Sequence, residues 1–240
     1  MHNDADRHIE RLQVNLAVIH QQIADAAARS GRSATEVTLV GICKYVGVEL
    51  SRQLCAAGCR QLGENRPQQL CEKAELLSDS DIDWHMVGHL QRNKVRRLLP
   101  HIHLLHSVDS LRLLRTLNDE SVRIERQLPL LLEVNTSGDP AKHGFSAEEM
   151  PAVLDAFSTL PQLKVRGLMT MASLHGGLET ARTNFASLRQ LRDDLQGQLG
   201  DGMQLDELSM GMSGDFEVAV EEGATLVRVG SAIFAGIPPE

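Results

Sequence analysis

The sequence contains no apolar run of the roughly 18 residues that a membrane-spanning helix requires, which excludes a spanning segment. Its N-terminus is polar and acidic and lacks the basic-then-apolar order of a secretory signal, so we expect a cytoplasmic protein. No low-complexity tract or linker rich in proline and glycine divides the 240 residues. We therefore expect one domain over residues 1–240, a size that α/β barrels commonly reach.

The sequence also has fewer basic than acidic residues and few closely spaced cysteines. The chain has 24 basic and 32 acidic residues, and a formal net charge of −8 makes nucleic acid a poor default partner. Of its four cysteines only Cys55 and Cys59 form a close pair, with no second pair or histidine motif at zinc-ligand spacing. The histidines of residues 101–106 surround a strand without a carboxylate at motif spacing. We therefore expect reduced thiols and no metal site.

The sequence does contain a regular alternation of short apolar runs with amphipathic stretches. Residues 6–30 are predicted to be a helix, because apolar residues recur at steps of three and four and Gly31 stands where a left-handed cap is expected. Eight β-runs follow, at 37–43, 60–64, 84–87, 103–108, 130–134, 165–171, 205–210 and 226–229. Strands separated by helices require parallel crossovers, and eight units close a barrel more readily than they leave sheet edges exposed. The predicted fold is α/β, a single (β/α)8 TIM barrel with an extra N-terminal helix; a doubly wound open sheet is the alternative.

In (β/α)8 barrels the active site lies at the C-terminal ends of the strands, so candidate residues are sought there. Lys44 ends the first apolar run and is one of five lysines, against nineteen arginines. Partial burial at a barrel mouth would disfavour the charged ammonium and leave more free amine to attack a carbonyl. A solvated lysine that merely follows a strand is the alternative that position alone leaves open.

The last two predicted strands end in groups that suit an anion. Arg228 and Gly230 face the same side of their strand, and an arginine pointing into a barrel needs an acceptor. Gly230 and Ser231 offer backbone N–H groups, and Ser213 offers a hydroxyl that could bind phosphate or cap the next helix. An amine, an arginine and phosphate donors fit a phosphate-bearing aldehyde held as a Schiff base, for which pyridoxal 5′-phosphate (PLP) is the candidate. The spacing of these residues by itself predicts only that the barrel binds a ligand with a phosphate group.

Eight ordered motifs, between about Arg7 and Gly236, give the chain a family resemblance. They are LVGICK, LGEN, WHMVGHLQRNK, HSVDS, EVNTSGDPAKHGF, RGLMTM, LSMGMSGDFEVAV and VRVGSAIF. In these motifs the sequence resembles the pyridoxal phosphate homeostasis protein family, whose barrel is similar to the N-terminal domain of alanine racemase. The chain departs from the family pattern in the strand-3 loop, where His89 and Arg92 replace an expected proline and serine. That departure concerns the loop's part in cofactor exchange rather than the fold.

The resemblance implies that PLP is bound as a Schiff base to Lys44, with Arg228 near the pyridine nitrogen. It assigns phosphate binding to Ser213, Gly230 and Ser231. It places three further residues in the pocket lining, namely Asn65, His85 and Met169. It gives Lys94 and Lys142 a part in delivering or releasing the cofactor.

An arginine beside the pyridine nitrogen favours the unprotonated ring and weakens the cofactor as an electron sink. Alanine racemase tolerates this arginine but uses a second base from a partner subunit and an additional domain, which we do not expect here. The resemblance therefore implies a monomeric PLP carrier without catalytic residues, which releases PLP to apo-enzymes. Two alternatives stay open: a PLP-dependent amino-acid racemase or lyase of weak activity, and a barrel isomerase acting on a sugar phosphate with Lys44 as its amine.

Overall fold

The computed structural model describes residues 4–139, 141–173, 175–197, 199 and 203–238. Eight parallel strands pair in chain order, and β1 pairs with β8 to close a barrel. The strands are β1 Thr38–Ile42, β2 Gln61–Glu64, β3 Asp83–Met86, β4 Leu104–Val108, β5 Leu128–Glu133, β6 Leu163–Met169, β7 Glu207–Ser209 and β8 Leu226–Val229. Each overlaps one predicted run. The barrel prediction is confirmed, and the open-sheet alternative is excluded.

Helices precede and alternate with the strands. They are α1 Asp4–Arg29, α2 Val48–Ala56, α3 Pro67–Leu76, α4 Val95–Leu98, α5 Leu111–Arg123, α6 Met150–Ala156, α7 Gly177–Gln196 and α8 Phe216–Glu221. The first is the predicted extra helix, and Gly31 beyond its end has the expected positive φ of 71°. Within the described ranges, no helix combines the length and the apolar character needed to cross a membrane.

Helix α1 packs against α2 and α8 and secures the chain's last described segment. Its buried side chains recur at helical spacing and include Leu12, Leu16, Ile19 and Ile23. From the same helix, Asn15 Nδ2 donates hydrogen bonds to the carbonyl oxygens of Ile233 (2.8 Å) and Ala235 (3.0 Å). The extra helix therefore holds the segment that follows β8.

The inside of the barrel is filled with side chains, as period-two alternation along the strands requires. One buried cluster is apolar and comprises Val40, Ile42, Val87, Leu104, Leu131, Met169 and Leu226. Polar side chains from β3, β4, β7 and β8 are buried as well, namely His85, His106, Ser209 and Arg228. Each of these polar groups needs a hydrogen-bond partner inside the barrel, and those partners shape the site described next.

Candidate functional site

A cavity of about 610 Å³ opens where the C-terminal ends of the strands meet. Its volume lies in the range of roughly 300–1,000 Å³ that is usual for small-molecule and cofactor sites. Its polar and charged lining residues are Lys44, Tyr45, Asn65, His89, Glu133, His143, Ser213, Arg228 and Ser231. Apolar side chains, among them Ile42, Val87 and Phe234, form much of the remaining wall.

Six of the eight residues singled out in the sequence line this cavity: Lys44, Asn65, Ser213, Arg228, Gly230 and Ser231. The other two, His85 and Met169, do not line it. His85 is 2% exposed and Met169 is 1% exposed, each inside the barrel. Residues that face inward stack in layers, and only the outermost layer reaches the cavity. Val87 and Met171, each two residues further along the chain, take the lining positions instead.

Lys44 follows β1 at the edge of the cavity and is half-buried. Its ammonium lies 4.7 Å from the centre of the ring of Tyr45, which is exposed. Cys43, the residue before Lys44, is held in place because Lys73 Nζ donates a 2.8 Å hydrogen bond to its carbonyl oxygen. Lys73 also pairs with Glu64, and both side chains are buried. An ion pair between α3 and β2 therefore holds the backbone that carries Lys44.

The same ion pair supports Asn65. The second carboxylate oxygen of Glu64 accepts a 3.1 Å hydrogen bond from the Asn65 backbone N–H. Across from Asn65, a Cβ at Gly88 would lie only 2.2 Å from the Asn65 carbonyl oxygen. Glycine is therefore required where the loop after β3 passes the end of β2. In the sequence, Lys73 has no feature that distinguishes it from a solvated helix residue.

Arg228 projects from β8 into the barrel and is 5% exposed. Its Nη1 donates to Ser209 Oγ at 2.6 Å, and its Nη2 donates to the Thr170 carbonyl oxygen at 2.9 Å. Burial lowers the pKa of the guanidinium to about 10, against the opposing effect of the carboxylates of Asp215 and Glu133. The group therefore stays charged at neutral pH and is held in one orientation.

A chain of hydrogen bonds continues from Arg228 through the barrel interior. Because arginine can only donate, Ser209 Oγ accepts from it and donates its own proton to His106 Nδ1 at 2.8 Å. His106 Nε2 then donates to His85 Nδ1 (2.8 Å), and His85 Nε2 donates to Gln61 Oε1 (2.6 Å). Burial lowers the pKa of His85 to about 3 and that of His106 well below its usual value, so both rings are neutral. The direction of every proton in the chain follows from the Gln61 amide oxygen, which can only accept, and from the single proton on each neutral ring.

The loops after β7 and β8 meet at Ser213 and Gly230. The Gly230 N–H donates a 3.2 Å hydrogen bond to Ser213 Oγ, which leaves the serine proton free to donate to a ligand. A Cβ at Gly230 would lie 3.3 Å from the Ile42 carbonyl oxygen, so a larger residue would crowd β1. Asp215 Oδ1 accepts from the Met212 N–H at 2.6 Å and fixes the loop that carries Ser213. The Ser213 hydroxyl therefore lies beside Gly230 and Ser231, the residues for which the sequence predicts anion binding.

The opposite side of the cavity carries titratable groups that sequence reasoning missed. His89 Nδ1 lies 2.9 Å from Asp109 Oδ2, and His143 Nδ1 lies 3.6 Å from the same oxygen. The two imidazole rings stack with centroids 4.2 Å apart. Glu133 is 5% exposed, and burial together with the charge of Asp109 raises its pKa to about 7. Apart from the departure at His89, the sequence carries no signal that these loops meet.

The two further lysines lie outside the cavity lining. Lys142 Nζ donates to the carbonyl oxygens of Met171 (3.3 Å) and Ala172 (2.8 Å), so it contacts the segment after β6 that borders the cavity. Lys94 lies in a short 3-10 turn, Arg92–Lys94, before α4. Lys142 therefore has a hydrogen bond to a residue of the cavity wall, Met171.

Comparison with known proteins places this geometry in a family. The family model of the alanine racemase N-terminal domain matches residues 14–238. A pyridoxal phosphate homeostasis protein of Aquifex aeolicus is 38% identical over 219 residues, which are 91% of this chain and 95% of that protein. The corresponding protein of Escherichia coli K12 is 35% identical over 92% of this chain and 94% of its own length. The chain belongs to the pyridoxal phosphate homeostasis protein family.

Solved structures agree with this membership. PipY of Synechococcus elongatus, solved without PLP, is 36% identical with a TM-score of 0.85 over 93% of this chain and 100% of that chain. The structure of PipY with PLP bound has a TM-score of 0.79 over 89% of this chain and 100% of that chain, also at 36% identity. Alanine racemase from Corynebacterium glutamicum is 14% identical, with a TM-score of 0.68 over 96% of this chain and 64% of that chain, and shares the fold. The family resemblance seen in the sequence motifs is confirmed.

Proposed function

We propose that this member of the pyridoxal phosphate homeostasis protein family binds PLP in the cavity as a Schiff base on Lys44 and releases it to apo-enzymes. The observation that carries the proposal is that one cavity brings together the Lys44 amine, the buried Arg228 guanidinium and, beside Gly230 and Ser231, the Ser213 hydroxyl. A PLP-bound structure of PipY, which is 36% identical, supports the same ligand class.

The residues present fit the three polar parts of PLP. The Ser213 hydroxyl and the backbone around Gly230 and Ser231 would hold the phosphate, because among the described residues the Ser213 oxygen accepts a hydrogen bond and no acceptor takes its proton. Arg228 would face the pyridine nitrogen and, being able only to donate, favours an unprotonated nitrogen. Lys44 would supply the amine. When bound, the cofactor supplies an aldehyde that combines reversibly with amines.

Holding and releasing PLP needs no further catalytic residue, which favours a carrier. Arg228 remains charged up to a pKa of about 10, so at neutral pH it disfavours the protonated pyridine ring on which strong carbanion stabilisation depends. We include in the proposal a cytosolic monomer that hands PLP to apo-enzymes. Mass measurement in solution tests the monomer. Transfer is tested by the rate at which an apo-enzyme regains activity with this protein as the only PLP source.

One observation supports a second candidate, a PLP-dependent racemase or lyase of weak activity. Glu133 lines the cavity, and its pKa of about 7 would let it take or give a proton near neutral pH. Loss of α-deuterium from labelled amino acids tests this candidate. If the PLP-loaded protein exchanges the label and Glu133→Gln does not, the second candidate replaces the simple carrier.

The direct test of the proposal is covalent mapping. The protein is incubated with PLP, its visible absorbance is recorded, borohydride is added, and the modified peptide is identified. We expect a visible band in the wild type, a reduced adduct on Lys44, and neither in Lys44→Ala. Lys164→Ala is the matched control, because Lys164 is exposed at the start of β6. An adduct that persists undiminished in Lys44→Ala would refute the assignment.

A further inference from the structure

One stretch of this acidic chain carries an excess of positive charge. Of the 24 basic and 32 acidic residues, six basic and one acidic residue lie within residues 88–118, which leaves 18 basic and 31 acidic residues elsewhere. The 3-10 turn before α4, α4 itself and α5 carry these basic residues, and the three elements pack against one another. The six basic residues are Arg92, Lys94, Arg96, Arg97, Arg112 and Arg115. Most of the molecule therefore repels an anion, whereas this side attracts it.

Most of these cations have no carboxylate partner. Elsewhere, Arg52 and Arg189 each lie 3.0 Å from a carboxylate oxygen. Of the six cations only Arg97 has such a neighbour in the described ranges, Glu75 at 3.8 Å. The five without an ion pair among the described residues are Arg92, Lys94, Arg96, Arg112 and Arg115. Their charge is not neutralised within the protein and is available to an anion from outside.

Two of the unpaired arginines stand beside the cavity. Arg92 and Arg112 are exposed, and both line a depression of about 450 Å³ together with the side chains of Gln91 and Asn93. His89 lines this depression and also lines the cavity, so the two spaces adjoin. An anion held by the two arginines is therefore already next to the cavity.

The other polar groups of the depression are largely engaged within the protein. Only 9% of the Asp109 side chain is accessible, and its Oδ2 faces His89 Nδ1 at 2.9 Å and His143 Nδ1 at 3.6 Å. The Ser110 hydroxyl accepts a 3.4 Å hydrogen bond from the Leu113 N–H at the start of α5. The two guanidinium groups therefore supply the charge that an anion meets here.

We propose that Arg92 and Arg112 form an entry site for phosphate-bearing ligands, which concentrates PLP beside the cavity before it reaches Lys44. The inference rests on the proposed function for the identity of the ligand. A guanidinium fork matches the geometry of phosphate oxygens, and both arginines are free to present it.

The position of the entry site determines which quantity it changes. Arg92 and Arg112 follow β3 and β4, whereas the residues proposed to hold the phosphate follow β7 and β8, on the opposite side of the closed barrel. The arginines therefore act on an arriving or departing anion more than on a bound one. We expect them to change the rates of binding and release, and to change affinity little.

The first test measures how fast the visible band appears when PLP is mixed with Arg92→Gln/Arg112→Gln in a stopped-flow instrument. We expect the second-order rate constant to fall about threefold at 0.1 M ionic strength and about sevenfold at 0.01 M, for two charges about 10 Å from a phosphate dianion in water. The release rate should fall by a similar factor, so that Kd changes by less than about twofold.

Two controls accompany this measurement. Lys164→Gln/Arg166→Gln removes the same charge from exposed positions in the first half of β6, away from the cavity end of the barrel, and should keep the wild-type rates. Pyridoxal, which lacks the phosphate, should react equally fast with all the proteins. Unchanged PLP rates in the test variant overturn the proposal. So does an equal fall in the control variant or with pyridoxal, which would assign the effect to net charge or to the amine.

A second test does not depend on any bond to Lys44. In Lys44→Ala, millimolar inorganic phosphate should slow the modification of Arg92 and Arg112 by phenylglyoxal at least about twofold, compared with sodium chloride at the same ionic strength. Arg166 should react equally in both salts, as peptide mass spectrometry measures. Absence of protection overturns the entry site even where the wild type forms its PLP adduct. Protection in a protein that forms no adduct would retain the entry site and contradict the proposed function.

Discussion

The two sides of the cavity are built on different principles. The side formed by β7, β8 and β1 presents Arg228 and Lys44, and both are fixed by buried partners beneath them. The side formed by the loops after β3, β4 and β5 presents His89, Asp109 and His143, of which the two histidines are exposed. We call these the supported side and the titratable side. From this comparison we expect that the supported side determines where a ligand lies, whereas the titratable side makes its environment depend on pH.

The largest effect is expected from removing the buried cation below the supported side. Lys73→Met leaves Glu64 buried without its partner, which should cost about 3–5 kcal/mol of unfolding free energy. The Cys43 carbonyl oxygen also loses its donor, so Lys44 should be less well held and the yield of PLP adduct should fall. Chemical denaturation and borohydride trapping measure the two effects.

The control for this variant is an ion pair on the surface. Arg60 and Asp81 pair with about two thirds or more of each side chain exposed, and such pairs contribute about 0–1 kcal/mol. Arg60→Met should therefore change neither stability nor adduct yield appreciably. Equal losses in the two variants would mean that the buried Lys73–Glu64 pair contributes no more than a surface pair and does not hold Lys44 in place.

On the titratable side, Glu133 should make stability depend on pH. Its pKa is about 7 in the folded protein against a usual 4.5, so the folded state binds the proton more tightly than the unfolded state does. Stability is thus fully retained below about pH 4.5 and is lost as the pH rises through about 7, by about 3 kcal/mol at most. Glu133→Gln should abolish this loss, as measured by denaturation at pH 5 and pH 8.

Asp139 offers the matched control, since it is an exposed carboxylate that follows β5. Asp139→Asn should leave the wild-type pH dependence in place. A Glu133→Gln variant that still loses stability between pH 5 and pH 8 would contradict the role of Glu133. Another titratable group would then cause the pH dependence.

The supported side could be predicted from the sequence because its residues end strands. A β-run gives its own direction and alternation, so Lys44 after β1 and Arg228 within β8 were placed by local pattern. The depth at which a residue lies along the barrel axis could not be predicted in the same way. It depends on how the strands are staggered, and His85 and Met169 consequently lie one layer too deep to reach the cavity.

The titratable side could not be predicted for a different reason. His89, Asp109 and His143 follow three separate strands, and their approach within 4.8 Å depends on the path of each loop after the barrel has closed. The partners of Arg228 are similar, because His106 and Ser209 meet across the barrel at a separation of 103 residues. Neither local periodicity nor motif spacing contains that information.

An intermediate effect is expected from interrupting the hydrogen-bond chain behind Arg228. Ser209→Ala removes the acceptor of the guanidinium and the donor to His106 Nδ1, leaving buried groups unsatisfied at a cost of about 1–3 kcal/mol. The absorbance maximum of bound PLP should also move, because the orientation of Arg228 changes. Ser187→Ala on the exposed face of α7 is the control. A stability loss with an unchanged PLP spectrum would mean that Ser209 supports the barrel but does not position Arg228.

The smallest effect is expected where α1 secures the segment after β8. Asn15 donates to the carbonyl oxygens of Ile233 and Ala235, so Asn15→Ala should cost about 1–2 kcal/mol in lost hydrogen bonds. Phe234 lies between the two carbonyls and lines the cavity, so PLP should also dissociate faster, which stopped-flow transfer to an excess apo-enzyme measures. Gln21→Ala, which loses only an exposed hydrogen bond to Asp25 within α1, is the control. If Asn15→Ala and Gln21→Ala both release PLP at the wild-type rate, the extra helix contributes to folding alone. The segment after β8 would then not help to hold the ligand.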